Sequence, residues 1–538
     1  MLGLMQARPL TIAQIFERAE GMFRDRLIVT ATGEGDESTS YGEWAQRVRR
    51  LAAVLDGLGA SPDARIGTLA TNTQSHLEAY FAVPLTGRIL HTVNIRLAPN
   101  HLEQIIAHAG DEVLLVDRGL MGMLWPLAES LSSVRHWIVM ADGSDDLLPT
   151  DPRVHDYELL LGATPPREGD FVIADENTAS GLCYTSGTTG DPKGVLYSHR
   201  STMLQCFALL SADVMAIGER DTVLPIVPMF HVNAWALPYA ALLAGAKLVL
   251  PGAATSPAHA LALISRQRVT VAAAATTVWN FAAPLLENYD LSSLRMVLSG
   301  GSATSVALSE TWRITAGVPI THSWGMTEIS PMAVIGGLRP GDELLPVEEQ
   351  ARIRSFQGRP LPFVDIRIVQ DDREQPWDGE SIGEVQVAGP WVLSRYYGVE
   401  ADDSFAADGW LRTGDLGTMS PEGYLRIVDR AKDVIKSGGE WISSVQLENA
   451  IMAHPDISEA AVVGRPDDKW AERPVAFVVA RDGRTLSIED IHEHLRPLVA
   501  KWWLPEDILF VEAIPKTGSG KFSKPELRAM LDQTRPPR

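Results

Sequence analysis

One stretch of this chain constrains its fold more than any other. The apolar residues Leu182-Cys-Tyr184 run into Thr185-Ser-Gly-Thr-Thr-Gly-Asp-Pro-Lys-Gly-Val195. Small residues let backbone N–H groups crowd round anionic oxygens, and the four hydroxyls of Thr185, Ser186, Thr188 and Thr189 add donors. Lys193 adds a charge suited to a β- or γ-phosphate, and the apolar run can serve as the strand that leads into the loop. The spacing is not that of a Walker A loop, which requires Gly-x-x-x-x-Gly-Lys. Gly187, Gly190 and Lys193 do not fit it, and Pro192 would interrupt a helix starting at once. A polar Gly/Thr surface loop is the competing reading of this stretch alone.

The flanking pattern is that of an α/β protein. Arg65–Ala70 reads as a strand, Ser75–Leu85 as a helix, His101–Ala109 as a helix capped by Asn100 and ended by Gly110, and Glu112–Val116 as a buried strand. Leu248–Leu250, Val269–Ala274 and Leu294–Leu298 continue the alternation, which predicts open, largely parallel sheets with helices on both faces. From Ile382 the pattern changes to short strands and turns, as in Gly383-Glu-Val-Gln-Val-Ala and Gly423-Tyr-Leu-Arg-Ile-Val. Mixed α and β then returns, with strands at Ala460–Val463 and Val475–Val479. The length of 538 residues calls for at least two domains, and we place the main boundary near Arg430.

Charge and composition narrow the function classes. The formal charge is −21, which points away from a nucleic-acid partner, because such a surface needs clustered Lys and Arg. From Ala431 onward there are 15 basic and 17 acidic residues, a net −2 that leaves −19 on the preceding part. The C-terminal segment is thus a nearly neutral unit whose lysines could face an anionic ligand. No window reaches the roughly 18 uninterrupted apolar residues of a membrane span, and Arg8, Glu17 and Arg18 interrupt any secretory pattern. Two cysteines without a metal-ligand cluster argue against a disulfide framework and suit a reducing compartment, so a cytoplasmic location is expected.

Six further motifs follow the phosphate loop: Pro228-Met-Phe-His-Val-Asn-Ala-Trp235, Gly300-Gly-Ser-Ala-Thr304, Ser323-Trp-Gly-Met-Thr-Glu328, Trp410-Leu-Arg-Thr-Gly-Asp415, Asp429-Arg-Ala-Lys-Asp433 with Lys436-Ser-Gly-Gly-Glu-Trp441, and Pro515-Lys-Thr-Gly-Ser-Gly-Lys521. With these in order over nearly the whole chain, the sequence resembles the ANL superfamily of adenylate-forming enzymes. It is most similar to medium- and long-chain fatty-acyl-CoA synthetases, and it shares the same features with methylmercaptopropionate-CoA ligases. The resemblance implies a large N-terminal domain, residues 1–430, of two α/β subdomains plus a distorted β-barrel. A small mobile α+β lid, residues 431–538, would follow.

It also implies an ATP- and Mg²⁺-dependent reaction that passes an acyl group from a carboxylic acid, by way of AMP, to coenzyme A. Thr185, Ser186, Gly187, Thr188, Thr189 and Lys193 would hold the phosphates. Glu328 and the Thr185 hydroxyl would supply hard oxygen ligands to Mg²⁺, and Thr327 would donate to the α-phosphate. Ser323, Trp324 and Gly325 would line the adenine slot opposite Gly301, Ser302 and Ala303. Asp415 would accept from the ribose hydroxyls, supported by Arg430. Lys521 would serve adenylation by offsetting charge at the α-phosphorus, with Lys432 at the hinge and Lys436 within reach of AMP in one orientation. Many relatives carry Asp at that hinge, so Lys432 is a departure from the pattern.

His231, beside the acyl carbonyl and the nucleotide, and Trp235 would belong to the acyl and CoA channel, together with Gly438, Gly439 and Trp441. A core-packing role is the alternative for both His231 and Trp235. Three other activities compete: loading of a separate carrier protein, a luciferase-type oxygenation, and non-catalytic nucleotide binding. Only 17 residues follow Lys521, too few for a fused carrier domain. The expected acid is a C6–C12 or longer fatty acid, with a short sulfur-containing acid such as 3-methylthiopropionate second. Relatives often form homodimers.

Overall fold

Two large sheets carry most of the chain. The computed structural model describes residues 1–538 except 2, 34, 186–191, 255, 401, 439, 468, 482, 518–521 and 534–538. A seven-stranded sheet runs in the order Val154–Asp156, His136–Met140, Asp111–Asp117, Arg65–Leu69, Ile89–Thr92, Ala179–Tyr184, Gly194–Ser198. Its first six strands are parallel and the last turns back antiparallel. A nine-stranded sheet is parallel through Ile320–Gly325, Met296–Gly300, Val271–Ala275, Thr222–Pro225, Lys247–Leu250 and Leu27–Ala31, with antiparallel strands at both edges. Strands buried on both faces are apolar throughout rather than alternating. Val271–Ala275 reads Val-Ala-Ala-Ala-Ala with four of five residues buried.

Helices fill the space between and around the sheets for local reasons. Tyr41–Gly57 starts at Ser40, whose hydroxyl accepts from Glu43 N–H while the Glu43 carboxylate accepts from the Ser40 N–H, a closed capping box. Gln74–Leu85 is buried at every residue from His76 onward, so it forms a core helix rather than an amphipathic one. One helix begins earlier than its sequence indicates. Pro99–Ala109 is capped by Ala98 and not by Asn100, because Pro99 at the first position has a φ already set for the helix. Gly110 ends it in a left-handed conformation, as expected (φ 66°).

A third sheet, fully antiparallel, orders Arg373–Glu374, Asp365–Gln370, Gly383–Ala388, Leu411–Met419 and Leu425–Arg430. These five strands make the β-rich part that the resemblance implies for the N-terminal domain, and among the described residues the first and last of them do not pair with each other. The next strand, Ile435–Ser437, already belongs to a fourth sheet with Glu440–Ile442, Ala471–Ala480, Ile457–Asp467 and Asp507–Phe510. Among the described residues no helix is long and apolar enough to cross a membrane.

A buried polar network spans the junction of the third and fourth sheets. Asp429, on the last strand of the third sheet, accepts from the Ser444 N–H and hydroxyl at 2.6 Å each. The ammonium of Lys524 donates to that same hydroxyl and pairs with Glu448 at 3.1 Å, while Glu448 also accepts from Val462 N–H at 2.8 Å. Burial pushes both the Asp429 and Glu448 carboxyls above their usual range, against the pull of Lys524. Replacing Lys524 by Met should strand two carboxylates in the interior and cost roughly 3–5 kcal/mol. A carboxyl raised in the folded state binds protons the unfolded chain does not, so its burden grows as pH rises above the ordinary carboxylate value. The deficit of K524M, read as the drop in melting temperature, should therefore shrink on going from about pH 8 to about pH 5.

Candidate active site

The strand Ala179–Tyr184 delivers Thr185 to the carboxyl edge of its parallel sheet, where open α/β sheets place ligands. The returning strand closes the base of the loop. Thr185 N–H donates to the Lys193 carbonyl at 2.9 Å, and Gly194 pairs with Tyr184 across the hairpin. On its outer side the Gly194 carbonyl accepts from Tyr397 N–H at 2.8 Å. A Cβ on Gly194 would sit 3.2 Å from both the Leu182 side chain and the Tyr397 Cβ, which favours glycine there. Ser186, Gly187, Thr188 and Thr189 lie outside the described residues.

Thr327 and Glu328 sit on a short turn, Thr327–Ile329, beyond the strand Ile320–Gly325, and both are buried. Three contacts fix the turn. Tyr197 O–H donates to the Thr327 carbonyl at 2.7 Å, Leu393 N–H to the Glu328 carbonyl at 2.7 Å, and Tyr396 O–H to Glu328 Oε1 at 2.8 Å. Lys193 lies over the Tyr396 ring, 4.6 Å from its centroid, and forms an ion pair with Asp402. Thr185, Lys193, Glu328, Tyr396, Asp402, Arg430 and Lys432 all line one cavity of about 1180 Å³.

Asp415 stands next to this cavity, following Gly414 in the chain and paired with Arg430, both of which line it. Trp324 Nε1–H donates to Asp415 Oδ2 at 2.8 Å, and Arg430 pairs with Oδ1 at 2.6 Å. A carboxylate offers about four lone-pair positions, and among the described residues these two side chains take one on each oxygen. The indole expected to line an adenine slot thus also orients the carboxylate expected to hold ribose. Ser323 is pinned by donating to the Ser299 carbonyl at 3.1 Å. Gly301, Ser302 and Ala303 form the loop after Met296–Gly300, and the Ser302 carbonyl accepts from the Thr276 hydroxyl at 2.8 Å.

The segment after His231 is the most strained part of the backbone. Val232, Asn233, Ala234, Trp235 and Ala236 all have positive φ, between 47° and 59°. L-residues in that conformation cost about 1–2 kcal/mol each, so packing must hold the turn. Trp235 supplies it: its indole is buried against Gly300, where a Cβ would come within 2.9 Å of the ring tip. Asn233 is buried as well, within 3.4 Å of the Thr92 hydroxyl. His231 is half-buried at the start of the turn.

Other predicted residues are not gathered into the cavity. Lys436 is exposed on Ile435–Ser437, with Trp441 opposite it on Glu440–Ile442, and neither lines the cavity wall. Gly438 has φ 63° and donates its N–H to the Trp470 carbonyl at 2.8 Å. The space a side chain there would take belongs to the Trp470 ring, 2.9 Å away. Gly439 and Lys521 lie outside the described residues. Sequence reasoning missed Tyr396, Asp402, Tyr197 and Trp470. None stands in one of the motifs that carry the resemblance, and only pairing across distant segments shows their contacts.

The donor set suits a magnesium nucleotide. Glu328 has one oxygen engaged by Tyr396, and the Thr185 hydroxyl lies in the same cavity; Mg²⁺ takes one or two protein oxygens and fills its shell with phosphate and water. Comparison with known proteins agrees. Residues 16–397 match the model of the AMP-binding enzyme family and residues 446–521 that of the AMP-binding enzyme C-terminal domain. The chain is 44% identical over 531 residues to a long-chain-fatty-acid–CoA ligase of Thermus thermophilus, covering 97% of this chain and 96% of that protein. It is 41% identical over 532 residues to a 3-methylmercaptopropionyl-CoA ligase of Ruegeria lacuscaerulensis, covering 98% of each. The crystal structure of the anthranilate CoA ligase AuaEII with anthranoyl-AMP superposes with a TM-score of 0.87 at 26% identity, covering 98% of this chain and 99% of that one. The chain therefore belongs to the AMP-binding enzyme family, within the ANL superfamily of adenylate-forming enzymes.

Proposed function

We propose that this protein is an AMP-forming acyl-CoA ligase for a medium- to long-chain fatty acid. The observation that carries the reading is the shared cavity of Thr185, Lys193, Glu328 and Arg430, with Asp415 held behind Arg430 by that arginine and by Trp324. In the first half-reaction a carboxylate oxygen of the acid bonds to the α-phosphorus of ATP, and pyrophosphate leaves with the electron pair of the broken P–O bond. In the second, the coenzyme A sulfur bonds to the acyl carbon, and AMP leaves. Mg²⁺, held by Glu328 and Thr185, would supply charge neutralisation on the phosphates.

Thr327 donates to the α-phosphate in this reading, and Lys521 serves only the first half-reaction. The chain divides at 430/431 into a body and a lid, and rotation near Lys432 exchanges the Lys521 loop for the face that carries Lys436, Gly438, Gly439 and Trp441. Such a rotation gates the cleft and leaves the chemistry to the bound groups. A cytoplasmic homodimer completes the reading. A short sulfur-containing acid is the second candidate, favoured by the 41% identity to a 3-methylmercaptopropionyl-CoA ligase.

The test is CoA-dependent AMP release across a panel of acids, with thioester masses recorded. C6–C12 or longer acids should be turned over with the highest kcat/KM; a peak at 3-methylthiopropionate would select the second candidate, and no thioester from any acid would refute the reading. Glu328→Ala should lower adenylation by at least about 100-fold, comparable with losing a preorganised transition-state group. Excess Mg²⁺ should restore part of that activity.

Trp235 bears on chain length. Pressed against Gly300 beside His231, its indole would act as a gate that closes the acyl channel until ATP binds. Trp235→Ala should then shift preference toward longer or bulkier acids with a modest fall in melting temperature. Pure packing predicts instead a loss of roughly 3–5 kcal/mol and an unchanged chain-length profile. Parallel activity profiles and melting curves for the two proteins separate these outcomes.

A further inference from the structure

The cations that line the cavity do not stand alone. Arg412 pairs with Glu384 at 2.9 Å, Arg430 with Asp415 at 2.6 Å, and Lys193 with Asp402. The first two carboxylates sit on the antiparallel strands Gly383–Ala388 and Leu411–Met419, which hold their backbone in register. Asp402 lies instead in the link between Tyr397 and Leu411, and the wall of the cavity includes it, Asp403 and Ser404. The Lys193 side chain remains 40% exposed toward that cavity, whereas the Asp402 side chain is only 12% exposed. A phosphate can therefore reach the lysine while its partner stays seated.

The two oxygens of Asp402 have separate tasks. Oδ1 accepts from Ser404 N–H at 2.7 Å, which fixes the carboxylate to its own loop, and Oδ2 faces Lys193. Burial alone would raise this carboxyl, but the contacts with Lys193 and Ser404 outweigh it and hold it below its usual range. It is thus a standing anion. Tyr396 lies between this pair and the proposed metal ligand: its ring carries Lys193 and its hydroxyl donates to Glu328. The position of Lys193 follows from two contacts, an aromatic face below and a carboxylate at the side.

We propose that Asp402 is a positioning residue for Lys193: it holds the ammonium at the phosphate end of the cavity before nucleotide arrives, yields it to the triphosphate, and takes it back as pyrophosphate leaves. The proposal rests on the reading that Lys193 contacts the ATP phosphates. Asp402 then acts as an internal competitor of the β- and γ-phosphates. It lowers the affinity for ATP slightly and raises the rate at which pyrophosphate departs. Removing its charge while keeping its loop should have the opposite effects. The exposure of Lys193 sets the scale, because an ion pair open to solvent is worth little and changes binding by a small factor.

Asp402→Asn keeps an oxygen for Ser404 N–H and loses the charge. In the full-length enzyme, with its preferred acid and CoA saturating, this variant should lower KM for MgATP and the inhibition constant of pyrophosphate together, each by about 2- to 5-fold. The value of kcat should be equal to or below that of the wild type. Lys193→Met should raise KM for MgATP, and adding Asp402→Asn to it should change neither constant further, since the two charges act as one unit. If D402N raises KM for MgATP, or leaves both constants unmoved while K193M raises KM, the proposal is overturned. If K193M itself leaves KM for MgATP unchanged, the phosphate role of Lys193 has failed instead. Asp402→Ser, which keeps a small polar side chain, should reproduce the lower pyrophosphate inhibition constant; failure to do so with an unaltered melting temperature also counts against the exchange.

Discussion

A single backbone contact organises the phosphate end of this enzyme. The Gly194 carbonyl accepts from Tyr397 N–H at 2.8 Å, which ties the hairpin after the phosphate loop to a segment some 200 residues later in the chain. That segment brings Tyr396 between Lys193 and Glu328, and the Leu393 N–H that accompanies it fixes the Glu328 carbonyl. The join acts together with the Lys193–Asp402 ion pair and the Tyr396–Glu328 hydrogen bond, which draw the loop lysine, the acidic link and the turn bearing Glu328 to the same segment. Together they form one wall. A side chain on residue 194 would press on Leu182 and Tyr397, so its packing neighbours favour glycine there.

The same economy governs charge. A chain of net −21 that binds a polyanion must bring cations to its cleft without leaving them to collapse onto stray carboxylates. The structure pairs them in place, Arg430 with Asp415 and Arg412 with Glu384. Asp415 is further held by the Trp324 indole N–H, so its orientation is settled before any ligand arrives. Preorganised groups of this kind act without reorganising when charge develops. A strained element, the left-handed run Val232–Ala236, is kept in place by the burial of Asn233 and Trp235 and by the packing of Trp235 on Gly300.

Much of the fold was legible along the chain. Apolar runs separated by capped helices identified the parallel sheets, because both faces of those strands are buried and need no alternation. The residues with a chemical signature of their own, Lys193, Glu328, Trp324, Asp415 and Arg430, were identified from motif order; Lys193, Glu328 and Arg430 line one cavity, and Asp415 joins Arg430 to Trp324 beside it. Local rules erred where a neighbour competes: Pro99 moved a helix start from Asn100 to Ala98, since a fixed φ at the first helical position favours the earlier turn. Short strands and turns after Ile382 marked the third, antiparallel sheet, whose pairing order only the structure gives.

What sequence alone determined is therefore the set of local chemistries: a loop rich in small residues and hydroxyls, a buried-strand pattern, and acidic and basic residues at recognisable spacings. These depend on neighbours a few residues apart. Tertiary structure alone decided that Tyr396 bridges Lys193 and Glu328, that Trp470 covers Gly438, and that Lys524 satisfies Asp429 and Glu448 in the interior. Each of these contacts joins segments from about 30 to more than 200 residues apart, and none has a periodicity or local motif to announce it. The physical reason is that a tyrosine, a tryptophan or a lysine becomes a partner only when folding removes water from both sides of the contact.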